Sequence, residues 1–506
     1  MESGIYQTDR NEGRSNPRAY KFGYIKECGL LLKKGMKKQF LFLTLLHLTA
    51  ISAILRADCY YKDDMGRAYA GYQGWDNFSR YLSNFLSEWI HTDSYLADIS
   101  PLPQIIAVCL LSIAGVIAIY VITGQTEASI WSVIAVLPLG LSPYFLECIS
   151  YKYDAPYMAL SILASVAPFL FFKGKYKYYL FPAASMLGTL AMCTTYQAAS
   201  GIFPMFVIFI CIQRWNQADS LKEIGKFFMA SVLSYGGGLV VFRLLIMKPV
   251  ENYVSNSIPG IKELLPATSK HLMQYFTYVR TDFTRLWKIL TLMLAASVVV
   301  CMVYQSARQK FAALLLAVCA LGMMGLVSFG IYPILAEPLY APRAMYGFGA
   351  FLAIMGVYAS NVRGPSRLIA AALSWVFFVF AFTYGNALAV QDQYTDFRTA
   401  NVIDELNRLE TFSSDKVKTV QIAGSIGYSP VLAGVTERYG MLKRLIPITF
   451  GEGWVWATYK FYHYYGLKNV RMDVSKDLRA CALPVLADTL YFTVKGNGDD
   501  ILVELK

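Results

Sequence analysis

The stretch Asp63-Asp64-Met-Gly66-Arg67-Ala-Tyr-Ala-Gly71-Tyr72-Gln-Gly-Trp75 places two adjacent carboxylates, a guanidinium and two exposed-type aromatic rings in one short segment. These residue types suit group transfer at a sugar. Asp63 or Asp64 would take the proton of an attacking hydroxyl, Arg67 would neutralise a departing phosphate, and Tyr72 and Trp75 would offer faces for a sugar ring. The plainer reading is a solvated turn in which the two aspartates cap a short helix and Gly66 and Gly71 punctuate it. The residues by themselves leave both open.

Two further segments carry similar chemistry. In Glu147-Cys-Ile-Ser-Tyr151-Lys152-Tyr153-Asp154-Ala-Pro156, Asp154 is either another candidate base or the N-cap of a helix whose first turn holds Pro156. Lys152 beside it is placed to meet a phosphate carried by a lipid. In Glu337-Pro-Leu-Tyr340-Ala-Pro-Arg343, the planar fork of Arg343 matches a phosphate, and Glu337 is assigned to sugar hydroxyls. An Arg that snorkels to lipid head groups would look the same. Arg280, Asp282 and Arg285 among Tyr275, Phe276 and Tyr278 read as an interfacial helix. His47, His91, His271 and His463 are too dispersed for a metal cluster, and no HExxH, P-loop or GxGxxG signature occurs. No cofactor and no metal site is therefore assigned, although a divalent cation is compatible with the chain.

The elements that must hold these segments are membrane helices. Of 506 residues, 56% are hydrophobic and 16% charged, against about 25% charged in a soluble domain. Mean hydropathy is +0.41. A hydrocarbon core about 30 Å thick needs about 20 apolar residues in helix. Runs of that kind lie near 37–55, 103–123, 127–145, 155–172, 178–195, 199–213, 227–247, 286–304, 311–330, 345–360 and 368–389, about eleven in all.

Charge sets their expected direction. Nine Lys or Arg face four acids in residues 1–38, which puts this end in the cytoplasm. Alternating from there, the inside connections hold Lys173/Lys175/Lys177, Arg214/Lys222/Lys226, Arg308/Lys310 and Arg363/Arg367, while Thr123 to Glu127 carries no basic residue. Segments 56–102, 146–154, 248–285 and 331–343 then fall outside and should converge on one cavity. The net charge of +12 is spent on these clusters, so nucleic acid is not expected as a partner. No cleavable signal peptide, disulfide framework or zinc spacing is visible.

The organisation expected is a basic cytoplasmic segment at 1–36, a multi-span domain at 37–389 and an exterior domain at 390–506. In the last, fourteen basic residues balance fourteen acidic ones, and strand-like Val417–Ala423 and Thr489–Lys495 flank a helical middle, which predicts a small α/β domain. Glu452, Trp454, Trp456 and Tyr459 are assigned no role.

The chain resembles the bacteriophage-type serotype-converting O-antigen glucosyltransferases, membrane enzymes of the GT-C class. The resemblance covers most of the chain. It rests on the basic N-terminus and first span, on Asp63-Asp64-x-Gly66-Arg67 with Gly71-Tyr72 and Trp75, and on Leu96-Ala-Asp98-Ile-Ser100-Pro-Leu-Pro103-Gln104. Tyr151-Lys-Tyr-Asp154, Thr195-Tyr-Gln197 and the outside C-terminal domain complete it. It implies a GT-C-like, all-α polytopic fold in the bacterial inner membrane, with the N-terminus cytoplasmic and the C-terminal α/β domain periplasmic. It also implies a donor of undecaprenyl-phosphate-glucose made and flipped by separate proteins, an acceptor sugar in lipopolysaccharide O-antigen, and a first-loop carboxylate, Asp63 or Asp64, as base. Other classes remain: a transporter or flippase of a lipid-linked glycan, disfavoured because the acids sit in loops and not in spans, or a non-catalytic membrane assembly protein.

Overall fold

The computed structural model describes residues 34–248, 257–362, 364–409, 416–453, 460, 465–467, 469–471 and 476–506. The basic run from Arg10 to Lys33, Arg363, and the aromatic residues Trp454, Trp456 and Tyr459 lie outside the described residues.

Apolar runs fold as helices because lipid offers no partner to a bare backbone, so each segment must satisfy its own N–H and C=O groups. In chain order the helices are α1 (Lys34–Ala57), α2 (Asp64–Ala70), α3 (Tyr81–His91), α4 (Leu102–Thr123), α5 (Ile130–Ala135), α6 (Pro138–Leu141), α7 (Pro143–Ser150) and α8 (Ala155–Val166). They continue as α9 (Lys177–Thr195), α10 (Ile202–Asn216), α11 (Leu221–Val241), α12 (Ile261–Asp282), α13 (Arg285–Gln305), α14 (Lys310–Val327), α15 (Gly347–Ser360), α16 (Ser366–Arg408), α17 (Ala433–Arg438) and α18 (Leu442–Leu445).

All eleven expected apolar runs fall on helical segments, but fewer of them qualify singly as spans. Among the described residues, seven helices are long and apolar enough to cross a membrane, or up to eight if the bent pair Ile130–Leu141 and Pro143–Ser150 forms one span. Ala155–Phe171 and Gly347–Ser360 are apolar but shorter. Helix α9 begins on Lys177, Tyr178 and Tyr179 and carries Pro182, which dilutes its apolar character. The bent pair turns by 60° where Pro138 and Pro143 interrupt the backbone ladder. That bend delivers Glu147 to the end of the bundle where the chemistry gathers.

The bundle has two unlike ends. At one, Gln39 donates to the Thr126 carbonyl, Gln213 to the Ile122 carbonyl, Arg308 to the carbonyls of Trp215 and Asp219, and Lys177 pairs with Glu223. The basic connections therefore share a side, as alternating spans require. At the other end lie residues 58–98, 147–154, 282 and 333–343, beneath the C-terminal portion of the chain.

The C-terminal portion holds a five-stranded sheet of β1 (Lys418–Ala423), β2 (Val470–Arg471), β3 (Val485–Asp488), β4 (Phe492–Asn497) and β5 (Asp500–Leu505), in the order β2-β1-β5-β4-β3. Strand β1 runs parallel to β2 and β5, and β3, β4 and β5 are antiparallel neighbours. The expected strands correspond to β1 and β4. The boundary expected at 389/390 falls inside α16, a continuous 43-residue helix whose later residues Val402 and Leu406 enter the sheet's apolar core with Val420, Ile422, Val494 and Val503. A single element thus belongs to both parts.

Helix α16 packs closely along α1, and Gly385 makes that approach possible: a Cβ there would lie 2.5 Å from the Ala53 carbonyl carbon and the Ile54 nitrogen. Neither backbone atom can yield without moving α1. We expect Gly385→Val to destabilise the protein by about 1–3 kcal/mol through overpacking. Thermal unfolding of the detergent-solubilised protein measures this, and an unchanged melting temperature would count against the contact.

Candidate active site

The motif after α1 folds as the short helix α2, with Asp63 at its N-cap position and Gly71 at its C-cap in the left-handed conformation, φ +63°. Gly71 is required twice over. Its φ suits glycine, and a Cβ would meet the Tyr95 ring at 2.3 Å. The Gly71 carbonyl accepts from the Leu96 amide at 2.9 Å, which folds the first loop back on itself.

The two adjacent aspartates have opposite surroundings. Asp64 is fully buried, and its Oδ2 accepts from the amides of Lys152 at 2.9 Å and Tyr61 at 3.1 Å, while Oδ1 has no hydrogen-bond partner. Burial pushes its carboxyl well above the usual range; the two backbone bonds and Arg67 oppose this and Asp154 adds to it. It clamps the first loop to the 151–154 turn. Asp63 is exposed, does not cap α2, and forms no ion pair among the described residues. The protein wall around it raises its carboxyl, an effect that Arg67, Arg343 and Lys62 restrain and Asp154 increases. An open carboxylate with a raised pKa is a better base than an ordinary aspartate.

Asp154 stands at the N-cap of α8, but its side chain does not cap that helix. Instead Oδ2 accepts from Arg67 at 2.6 Å and Oδ1 from the Trp75 indole N–H at 2.5 Å. Arg67 is 6% exposed in its side chain and lies 4.4 Å from the Trp75 ring centroid and 5.6 Å from that of Tyr72. Burial works against its charge, and Asp154 and Asp63 more than compensate. Trp75 is 1% exposed and packs edge-on against Tyr157, so it is a buried donor and not an open face. Tyr72, 40% exposed, keeps contact with solvent.

Lys152 lies between Asp58 at 2.7 Å and Asp98 at 3.1 Å, with its ammonium 4.3 Å from the Tyr60 ring. Burial disfavours the charge, but the two carboxylates hold the ammonium above its usual range. Arg343 reaches inward, donating from Nη1 at 2.9 Å and from its amide at 2.7 Å to Glu147. Glu337 is exposed and forms no ion pair with a described residue, so it stays at the rim.

Glu147 is the group that sequence reasoning passed over. Its side chain is 0% exposed and it also takes Lys62 at 2.5 Å, giving one buried carboxylate for two cations. The available signal was a lone acid in an otherwise apolar helix, Pro143–Ser150, which marks a site by its cost. Other ties close the end of the bundle. The Tyr61 hydroxyl donates to the Leu445 carbonyl at 2.6 Å, and Arg444 pairs with Asp282, which also accepts from Tyr144 at 3.1 Å. His47 is packed within α1 against the Leu43 carbonyl and Ser112. Among the described residues, no group of three or more His, Cys, Asp or Glu gathers to hold a metal ion.

This enclosure of an open aspartate by paired cations at the end of an apolar helix bundle lies within residues 52–354, which match the family described as Glucosyl transferase GtrII. The chain belongs to that family. It is also 23% identical over 419 residues to an uncharacterised 55.3 kDa protein of the gtrB 5′ region in Salmonella phage P22, a match covering 80% of this chain and 85% of that protein. No solved structure matches the chain. The GtrII match takes in Asp63, Asp64, Arg67, Glu147, Lys152, Asp154 and Arg343 and ends before the C-terminal sheet.

Removing the Glu147 charge from this GtrII family site strands two cations in a largely closed space. We expect Glu147→Gln to destabilise the fold by about 3–5 kcal/mol, as for breaking a buried ion pair. Thermal unfolding with and without the added Lys62→Met change reads it, and the double variant should recover part of the loss. A Glu147→Gln protein as stable as the parent would show that the pairing does not matter.

Proposed function

We propose that this membrane glycosyltransferase moves glucose from polyprenyl-phosphate-glucose to an O-antigen sugar of lipopolysaccharide, on the periplasmic face of the inner membrane, and so brings about serotype conversion. The single observation that carries the mechanism is Asp63: it is an exposed first-loop carboxylate with no ion pair among the described residues, beside carboxylates that are bound to cations or buried. The family supports glucose as the group transferred. The relative from a Salmonella phage supports a role in altering a bacterial surface glycan.

In this reading the acceptor hydroxyl oxygen forms a bond to the anomeric carbon of glucose as the bond from that carbon to the phosphate oxygen breaks. Asp63 takes the hydroxyl proton, and the polyprenyl phosphate departs with the bonding electrons. A displacement from the face opposite the phosphate inverts the anomeric carbon. Arg343 is the cation assigned to the departing charge, since its planar fork matches a phosphate. Arg67 is matched by Asp154, and Lys152 by Asp58 and Asp98. These two cations therefore shape the cavity and add field more than they add a vacant contact. Tyr72 and Glu337, at the rim, are assigned to sugar. The separate donor synthase and flippase act upstream, and the sheet domain is the natural surface for the acceptor.

Expression in a host with the matching O-antigen and a polyprenyl-phosphate-glucose supply tests this, with mass spectrometry of purified lipopolysaccharide as the readout. At equal membrane levels, Asp63→Asn should lower hexose addition by roughly 100-fold or more, the loss of a general base. Asp64→Asn should act first on the amount of folded protein. A fully active Asp63→Asn enzyme would remove Asp63 from the mechanism. Wild type adding no hexose would remove the transfer itself. Because Asp63 must be ionised to act and its pKa is raised, kcat/KM should fall on acidification at a higher pH than the ordinary aspartate value of about 3.9.

A further inference from the structure

One half-buried cation at this end of the bundle is not matched by any carboxylate among the described residues. Arg80, half-buried at the N-cap of α3, donates from Nε to Gln197 Oε1 at 3.3 Å, and its guanidinium carbon lies 4.5 Å from the Tyr196 ring centroid and 5.1 Å from that of Phe78. Gln197 is itself fixed by donating from Nε2 to the Phe78 carbonyl at 3.3 Å. The fork is thus held through Nε, with its outer N–H groups unspent among the described residues. A half-buried guanidinium in that state is unfavourable until an anion completes it.

The neighbouring hydroxyls point to the same missing acceptor. Tyr196 and Tyr151 are both buried, and neither hydroxyl has a hydrogen-bond partner. The Tyr196 ring stacks on Tyr346 with centroids 6.0 Å apart, and the Arg343 guanidinium lies 5.8 Å from the Tyr151 ring. The charges of Arg343 and Arg80 both act on the Tyr196 hydroxyl, and those of Arg343 and Asp63 on that of Tyr151. Arg80 thus stands beside the Tyr196 ring and Arg343 beside that of Tyr151, two buried rings with unpartnered hydroxyls.

We propose that Arg80 is a second phosphate contact, closing with Arg343 on the phosphate of a prenyl-phosphate lipid across the Tyr196 ring, with the Tyr196 and Tyr151 hydroxyls donating to its oxygens. The proposal rests on the transferase reading above and names a residue that reading does not use. The lipid form of the anion is favoured over free phosphate by the helix that carries Arg80. Tyr81, Phe85 and Trp89, four residues apart on one face of α3, are exposed, the last two by 56% and 72%. An aromatic stripe of that kind sits at a membrane surface. It leads along the bilayer to Arg80, the path open to a phosphate with an apolar tail.

Equilibrium binding of radiolabelled farnesyl phosphate to the purified full-length protein in detergent tests this, with farnesol and inorganic phosphate as competitors. Wild type should bind farnesyl phosphate, Arg80→Gln should weaken it about tenfold or more, and Arg80→Lys, which keeps the charge but not the fork, should recover only part of the affinity. Melting temperatures of both variants should equal that of wild type. If Arg80→Gln binds as tightly as wild type, Arg80 is no contact and the transferase reading stands. If wild type binds no farnesyl phosphate, the prenyl-phosphate donor falls and Arg80 with it. If inorganic phosphate competes as well as farnesyl phosphate, the lipid assignment is overturned.

Discussion

A fully buried carboxylate held by two cations governs the reactive end of this protein. Glu147 has no access to water, so its charge persists only because Lys62 and Arg343 stand against it. Those three residues come from the loop after α1, from the bent helix α7 and from the turn before α15. Segments hundreds of residues apart in sequence are thereby held in one register. At Glu147 itself one carboxylate answers two cations.

Six acids crowd this region, and their environments divide them. Glu147, Asp154, Asp58 and Asp98 each neutralise a cation, and Asp64 is buried on backbone amides. Asp63 alone among them combines solvent access with no ion pair among the described residues. Neighbours in sequence thus end in unlike surroundings, since a one-residue step at the start of α2 turns Asp64 inward and Asp63 to solvent. Electrostatics then keeps the roles apart.

Much of this was legible in the chain. Apolar runs and basic connections marked the helices and the end they share, because lipid penalises charge and bare backbone so heavily that composition follows topology. The motif around Asp63, Arg67 and Gly71 named the loop that bears the site. Its aromatic content misled at Trp75, since a ring that seals a buried ion pair has the same letter as a ring that faces a sugar. Asp154 and Lys152 looked available for the same reason: their partners, Arg67, Asp58 and Asp98, lie far away in sequence. Glu147 was read as the start of a loop, whereas it lies within the apolar helix Pro143–Ser150. The number of spans was blurred by Pro138 and Pro143, which divide one run into short pieces. Arg80 carried no signal, and Gln197 only its place in the Thr195-Tyr-Gln197 motif, until the fold set one against the other.

Helix α16 makes the sheet domain a fixed gauge. The helix runs unbroken from the apolar bundle into the sheet's core, and Gln391, part-way along it, holds the Gly427 carbonyl and the Ser429 amide. Beyond its apolar stretch it rises at about 1.5 Å per residue for roughly 30 Å. No loop at its midpoint can fold or slacken. Were an acceptor glycan to rest on the sheet, as proposed above, its reach would be decided by the length of a helix as much as by the shape of a pocket.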